Sequence, residues 1–296
     1  MLKGRVLSAI SAILLLSFPV IVGAQAPAAA APANPNGPAA VDGWTHRPVP
    51  PLSRAQAEAP APQRDIFGVW DPGNGGIQPM GAGANPEDGM PEHELPYTPL
   101  GRERLALTKP SNGVRSVLPA ETNDPVVACD PQGFPREDLY ELRTTQIIQR
   151  SSSVAFLFEF GKVWRVAWTD GRQVPANPEP RWFGYSVGKW EDDYTFVVQT
   201  TGISERTWID RAGRPHSEDL RVEERYHRVN YGTMELTVII NDPQMYTKPW
   251  VALNKLRFRL QPESFDVTEM MCSPSQISEY NKRFGYPASN MDQDGK

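Results

Sequence analysis

The chain has 296 residues, with 30 Lys+Arg against 35 Asp+Glu, 4 His and 2 Cys. A net charge of −5 argues against the basic footprint of a nucleic-acid-binding protein. With 40% hydrophobic residues the chain can build a packed core, so collagen-like and wholly disordered classes are excluded.

The first segment, residues 1–24, reads as a secretory signal. Lys3 and Arg5 precede an apolar run from Ala9 to Val22, and the small residues Gly23, Ala24 and Ala26 follow. The run is short of the roughly 20 apolar residues of a membrane span. No later stretch is apolar and long enough, so no membrane span is expected after signal removal. Loss of Lys3 and Arg5 moves the net charge from −5 to −7. Such a charge favours solubility and repels polyanions.

From Ala24 to Gln63, Ala and Pro supply 22 of 40 positions. A stretch this poor in large apolar side chains does not offset its ordering entropy, so residues 25–64 read as a flexible tether. Val41 and Trp44 are its exceptions. A single β-rich domain is expected over 65–285, beginning at Ile66-Phe67-Gly68-Val69-Trp70, with a polar tail over 286–296. Residues 71–96 read as a long loop, the place for a partner-binding role. Thr98-Pro99-Leu100 marks a helix start with proline in the first turn.

Beyond Leu139 the periodicity becomes two. Val154, Phe156, Phe158 and Phe160 form one such set, and Trp164, Val166 and Trp168 another. Tyr194, Phe196, Val198 and Thr200 continue the pattern, as do Met234, Leu236, Val238 and Ile240. This alternation is the half-buried strand signal. Further strands are expected at 142–150, 183–190, 220–229, 251–260 and 265–271. Gly161-Lys162, Glu191-Asp192-Asp193 and Tyr231-Gly232 are short enough for antiparallel hairpins. Ser273-Pro274-Ser275-Gln276 reads as a capping box opening a second short helix. Eight to ten strands in succession, without a βαβ rhythm, predict an antiparallel up-and-down barrel of lipocalin-like (calycin) character, with a β-sandwich as the alternative. The two G-x-W sequences, at Trp70 and Trp190, suit a barrel with a Trp plugging one end.

Two cysteines in an oxidising compartment favour one disulfide, Cys129–Cys272; two separately buried thiols are the alternative.

One motif set resembles a family of exported bacterial proteins of unknown function. It comprises Trp168-Thr169-Asp170-Gly171-Arg172, Ser186-Val187-Gly188-Lys189-Trp190-Glu191, Pro215-His216-Ser217, Glu224-Arg225, Asp242-Pro243 and Tyr246-Thr247-Lys248-Pro249-Trp250. Asn123-Asp124-Pro125 and Cys129-Asp130-Pro131 also belong to it, and the likeness spans about residues 65–280. Trp190-Glu191-Asp192-Asp193 stands where the family pattern has Trp-Glu-Gly-Asp. The resemblance implies one domain and export, to the periplasm or outside the cell, and carries no chemistry with it.

The densest polar set is Asp170, Arg172, Asp210, His216, Ser217, Glu224 and Arg225. A histidine beside a carboxylate is a general acid–base pair, so His216 with Asp170 or Asp210 is the candidate catalytic group. Glu224 shares a strand face with Val222 and Tyr226. A buried carboxylate there needs a partner, for which Arg165 and Arg172 are the candidates. Trp168, Arg172, Trp190, Glu224, Tyr246 and Trp250 are the candidate ligand contacts. No cofactor motif is present: Gly73-Asn74-Gly75-Gly76 lacks the lysine of a phosphate loop, and the four histidines are scattered, so no metal is expected. Three functions follow as expectations: a small-molecule-binding barrel for an apolar or aromatic ligand, a cofactor-independent lyase, isomerase or hydrolase, and an envelope interaction protein.

Overall fold

The computed structural model describes residues 39–73, 86–140 and 142–285. The expected signal segment, the start of the tether, residues 74–85 of the long loop and the tail lie outside the described residues. Nine strands follow one another around a closed barrel: β1 (Gly68–Asp71), β2 (Thr145–Gln149), β3 (Ser153–Phe158), β4 (Trp164–Trp168), β5 (Tyr185–Trp190), β6 (Thr195–Thr201), β7 (Arg221–Asn230), β8 (Thr233–Asn241) and β9 (Trp250–Leu260). The fold is a lipocalin-like barrel, not a sandwich.

Every junction is antiparallel except β4·β5, which is parallel. The odd strand count explains this departure from a wholly antiparallel meander. A ring of nine cannot alternate direction at every step, so at least one junction runs parallel. A parallel junction needs a crossover connection, and residues 169–184 supply it. Only Ala167↔Ser186 and Trp168↔Val187 are in register there.

The alternation places one face of each strand inside. Val222, Glu224, Tyr226 and Arg228 of β7 are buried, as are Met234, Leu236, Val238 and Ile240 of β8. Phe156, Phe196 and Phe258 fill the interior with them. Each such side chain contributes roughly 1.5–3 kcal/mol by leaving water. Trp70 is fully buried; its Nε1 donates to Ile66 O at 3.0 Å, and the Arg228 guanidinium lies 4.7 Å over its ring. Gly188 lies opposite Val198 in the β5·β6 pair, and a Cβ there would come within 2.3 Å of the Phe196 ring. The expected strand at 265–271 does not form. Pairing of β1 with β9 has already closed the ring, and only Met270 makes a bridge, to Phe160.

Four short helices decorate the barrel: α1 (Arg54–Ala57), α2 (Pro99–Leu107), α3 (Arg136–Leu139) and α4 (Pro274–Tyr280). α2 begins at its proline, and the Thr98 side chain accepts from Gly101 N at 2.9 Å. At α4 the expected capping box is absent; Ser273 Oγ instead meets Ser275 Oγ at 3.0 Å. A capping box does form at α1, between Ser53 and Gln56. From residue 39 the Ala/Pro segment lies on the barrel. Asp266 N donates to Asp42 Oδ1 at 2.8 Å, and Gly232 N donates to Ala57 O at 2.9 Å. Polar and backbone hydrogen bonds make these contacts, which composition does not reveal. Trp44 remains 84% exposed. Cys129 and Cys272 are joined by a disulfide. Among the described residues no helix is long and apolar enough to cross a membrane.

Candidate functional site

Side chains fill the barrel interior. The enclosed void beside Trp70, Asp138, Thr145 and Tyr226 measures only about 10 Å³, the space of one water. A buried polar cluster stands next to it. Arg165, on β4, pairs with Glu224, on β7, and Tyr226 Oη donates to Glu224 Oε1 at 2.5 Å. Arg165 Nη1 also donates to Ser186 Oγ and Thr200 Oγ1, both at 3.3 Å. Its guanidinium lies 4.0 Å over the Phe134 ring and 4.7 Å over Phe156. Burial opposes the Arg165 charge, but Glu224, Tyr226 and Asp138 outweigh it and raise its pKa. Asp138, carried by α3, lies 4.0 Å from the same guanidinium. Burial and the Glu224 charge push its carboxyl well above the usual range. Of the two partners that sequence offers Glu224, the fold selects Arg165. Asp138 escapes notice in sequence, because Arg136-Glu137-Asp138-Leu139 reads as a polar surface run, whereas all four residues are buried.

A large concavity lies at the parallel seam. It encloses about 660 Å³ between β4, β5 and the 169–184 crossover. Inward alternation spends Arg165 and Ala167 on the core, so Trp164 and Trp168 point outward, 65% and 39% exposed. These two tryptophans, with Trp182, Phe183 and Tyr185, wall the cleft. Arg172 lies 3.8 Å over the Trp168 ring, and Arg181 lies 4.1 Å over Tyr185. Arg165 and Ser186 also line it, so the cleft reaches the seam where the buried cluster begins. Gly184 lets the crossover pack close. Its φ is +60°, and a Cβ would stand 2.5 Å from Thr201 O.

The three candidate catalytic residues are not one hydrogen-bonded set. His216 Nδ1 lies 3.1 Å from Ser217 O and Nε2 lies 2.7 Å from Thr207 Oγ1. Burial lowers its pKa, which favours the neutral ring. A neutral ring donates from Nδ1 to the carbonyl and accepts the threonine hydroxyl at Nε2. Asp210 accepts from Arg214 Nη1 at 2.9 Å and from Ala212 N at 2.9 Å. Asp170 sits at the cleft rim, where Arg172 clasps it and holds its carboxyl below the usual range. The carboxylate that fixes the 216–217 turn is Asp242, which accepts from Ser217 N at 2.6 Å and Ser217 Oγ at 2.8 Å.

The candidate ligand contacts separate likewise. Trp168 and Arg172 are at the cleft. Trp190 packs inside against Phe196, with centroids 5.2 Å apart, and Glu224 lies in the buried cluster. Tyr246 donates to Pro215 O at 2.9 Å and meets the Trp250 ring edge-on at 5.4 Å, both buried. Among the described residues, no group of three or more His, Cys, Asp or Glu is disposed to hold a metal. Arg181 and Tyr185 join the cleft without being singled out in sequence, beside Trp164 and Trp182 of the aromatic-rich stretch 164–190. In comparisons with family models, curated proteins and solved structures, no match to this chain is found.

Proposed function

We propose that the protein is exported and binds a small apolar or aromatic molecule in the cleft over the β4·β5 seam. The observation that carries this reading is an aromatic-walled cleft of about 660 Å³ beside an interior already filled by side chains. Small-molecule sites have volumes of roughly 300–1,000 Å³. The exposed faces of Trp164 and Trp168 suit ring stacking. Export is supported by the signal-like Met1–Ala24 segment, by the disulfide, which persists in oxidising compartments, and by the resemblance to exported proteins. A proton-transfer role for His216 loses support, since its ring is buried between Thr207 and Ser217.

The test is a ligand titration followed by tryptophan fluorescence and calorimetry, on the wild type and on Val187→Trp. Val187 lies on the cleft wall, and a larger ring there fills the space. Aromatic ligands are expected to bind the wild type and not the variant, with unchanged circular dichroism. Equal binding to both proteins sinks the cleft reading.

A further inference from the structure

Resting on the cleft reading, we infer that the cleft selects an organic anion: a flat or apolar body carrying a carboxylate or similar acidic group that docks on Arg181. The charge census of the lining carries this. The protein has a net charge of −5, yet three arginines and no Asp or Glu line the cleft. Two of those arginines are already matched. Arg165 pairs with Glu224 in the interior, and Arg172 with Asp170 at the rim. Arg181 has no carboxylate partner among the described residues. Its guanidinium lies over the Tyr185 ring, 4.1 Å from the centroid, which fixes its plane and leaves its N–H edge for a ligand.

The remaining polar lining agrees. Arginine has only donors, and a carboxylate has only acceptors with the spacing to receive two of them. The Tyr185 hydroxyl is turned away, donating to Glu179 O at 3.0 Å. Arg181 is exposed, and a neutral ligand gains nothing from its charge. An anion matches it while its body covers Trp164, Trp168 and Trp182. The backbone of Arg181 is anchored independently: its N–H donates to Gly202 O at 3.0 Å, and Ser204 N donates to its carbonyl at 2.9 Å. The backbone from which the guanidinium reaches the cleft is therefore fixed.

The experiment uses the full mature chain and matched probe pairs: 2-naphthoate, indole-3-acetate and dodecanoate, each against its own amide. Calorimetry reads both members of each pair on the wild type, Arg181→Met, Arg181→Lys and Gln173→Glu. At least one acid is expected to bind tenfold or more tighter than its amide. Arg181→Met is expected to erase that difference while leaving the amide within twofold, and Arg181→Lys to restore part of it. Gln173→Glu, which puts an acid into the lining without touching Arg181, is expected to weaken acids alone. Acids and amides binding equally, with every variant unchanged, overturn the anion inference and leave the cleft reading standing. Binding that Val187→Trp does not diminish overturns the cleft reading instead. If no probe of either kind binds a wild-type protein with native circular dichroism, both fall.

Discussion

The Arg165 guanidinium and the Glu224 carboxylate meet inside the barrel from β4 and β7, strands that are not neighbours in the ring. The pair spans the interior behind the parallel seam, where only two residue pairs are in register. Arg165 thus ties the weakly paired edge of β4 to the extensively paired β7.

Breaking one side of this pair leaves the other charge buried and unmatched, which costs about 3–5 kcal/mol. Arg165→Met is therefore expected to lower the stability by that amount in urea titration. Arg165→Met with Glu224→Leu removes both charges and is expected to lose much less. A single variant as stable as the double one refutes the pairing as the source of the loss.

Two buried groups give the stability opposite pH slopes. Asp138 keeps its proton in the fold where an unfolded aspartate, with a pKa near 3.9, has lost it. Its contribution is complete below about pH 4 and is lost as the pH rises toward the folded value. His216 has a lowered pKa, so its contribution is present above about pH 6.5 and is lost as the pH falls toward the folded value. Asp138→Asn is expected to flatten the decline on the alkaline side of pH 4. His216→Gln is expected to flatten the decline below pH 6.5. Urea midpoints collected from pH 4 to pH 9 read both; an Asp138→Asn profile parallel to the wild type refutes Asp138 as the source of the alkaline slope.

The disulfide closes a loop of 143 residues, which in the chain-entropy model is worth about 5 kcal/mol. The Cys129→Ser, Cys272→Ser double variant is expected to lose up to that amount. The loss has a local signature too. α4 follows Cys272 directly, none of its residues is buried, and it packs against the 125–128 turn that ends at Cys129. Limited proteolysis of the double variant is expected to cut first within 273–285. Initial cleavage in the barrel strands instead would show that the bond holds more than this segment.

Much of the barrel is legible in the residues themselves. Period-two alternation marks eight of the nine strands, β1 having been met only as the start of the domain. It also puts Glu224 on the inward face with Val222 and Tyr226, since side chains alternate strictly along a strand. The need of a buried carboxylate for a partner narrowed the choice to Arg165 or Arg172, because isolated buried charge is so costly. Only the fold separates them: Arg165 points inward from β4, whereas Arg172 lies in the crossover and closes on Asp170.

The sequence by itself determined the faces of strands such as β7 and β8, though not of β4, together with the hairpins, the two candidate cysteines and the inward carboxylate, because these depend on neighbours in the chain. Tertiary structure alone decided where the parallel junction falls, that Asp138 is buried beside the Arg165–Glu224 pair, and that Trp164, Trp168, Arg172 and Arg181 line one cleft. The physical reason is closure. Alternation fixes which way a side chain points but not which strand lies beside it. An odd ring must break its alternation at some junction, and here the cleft opens at that break.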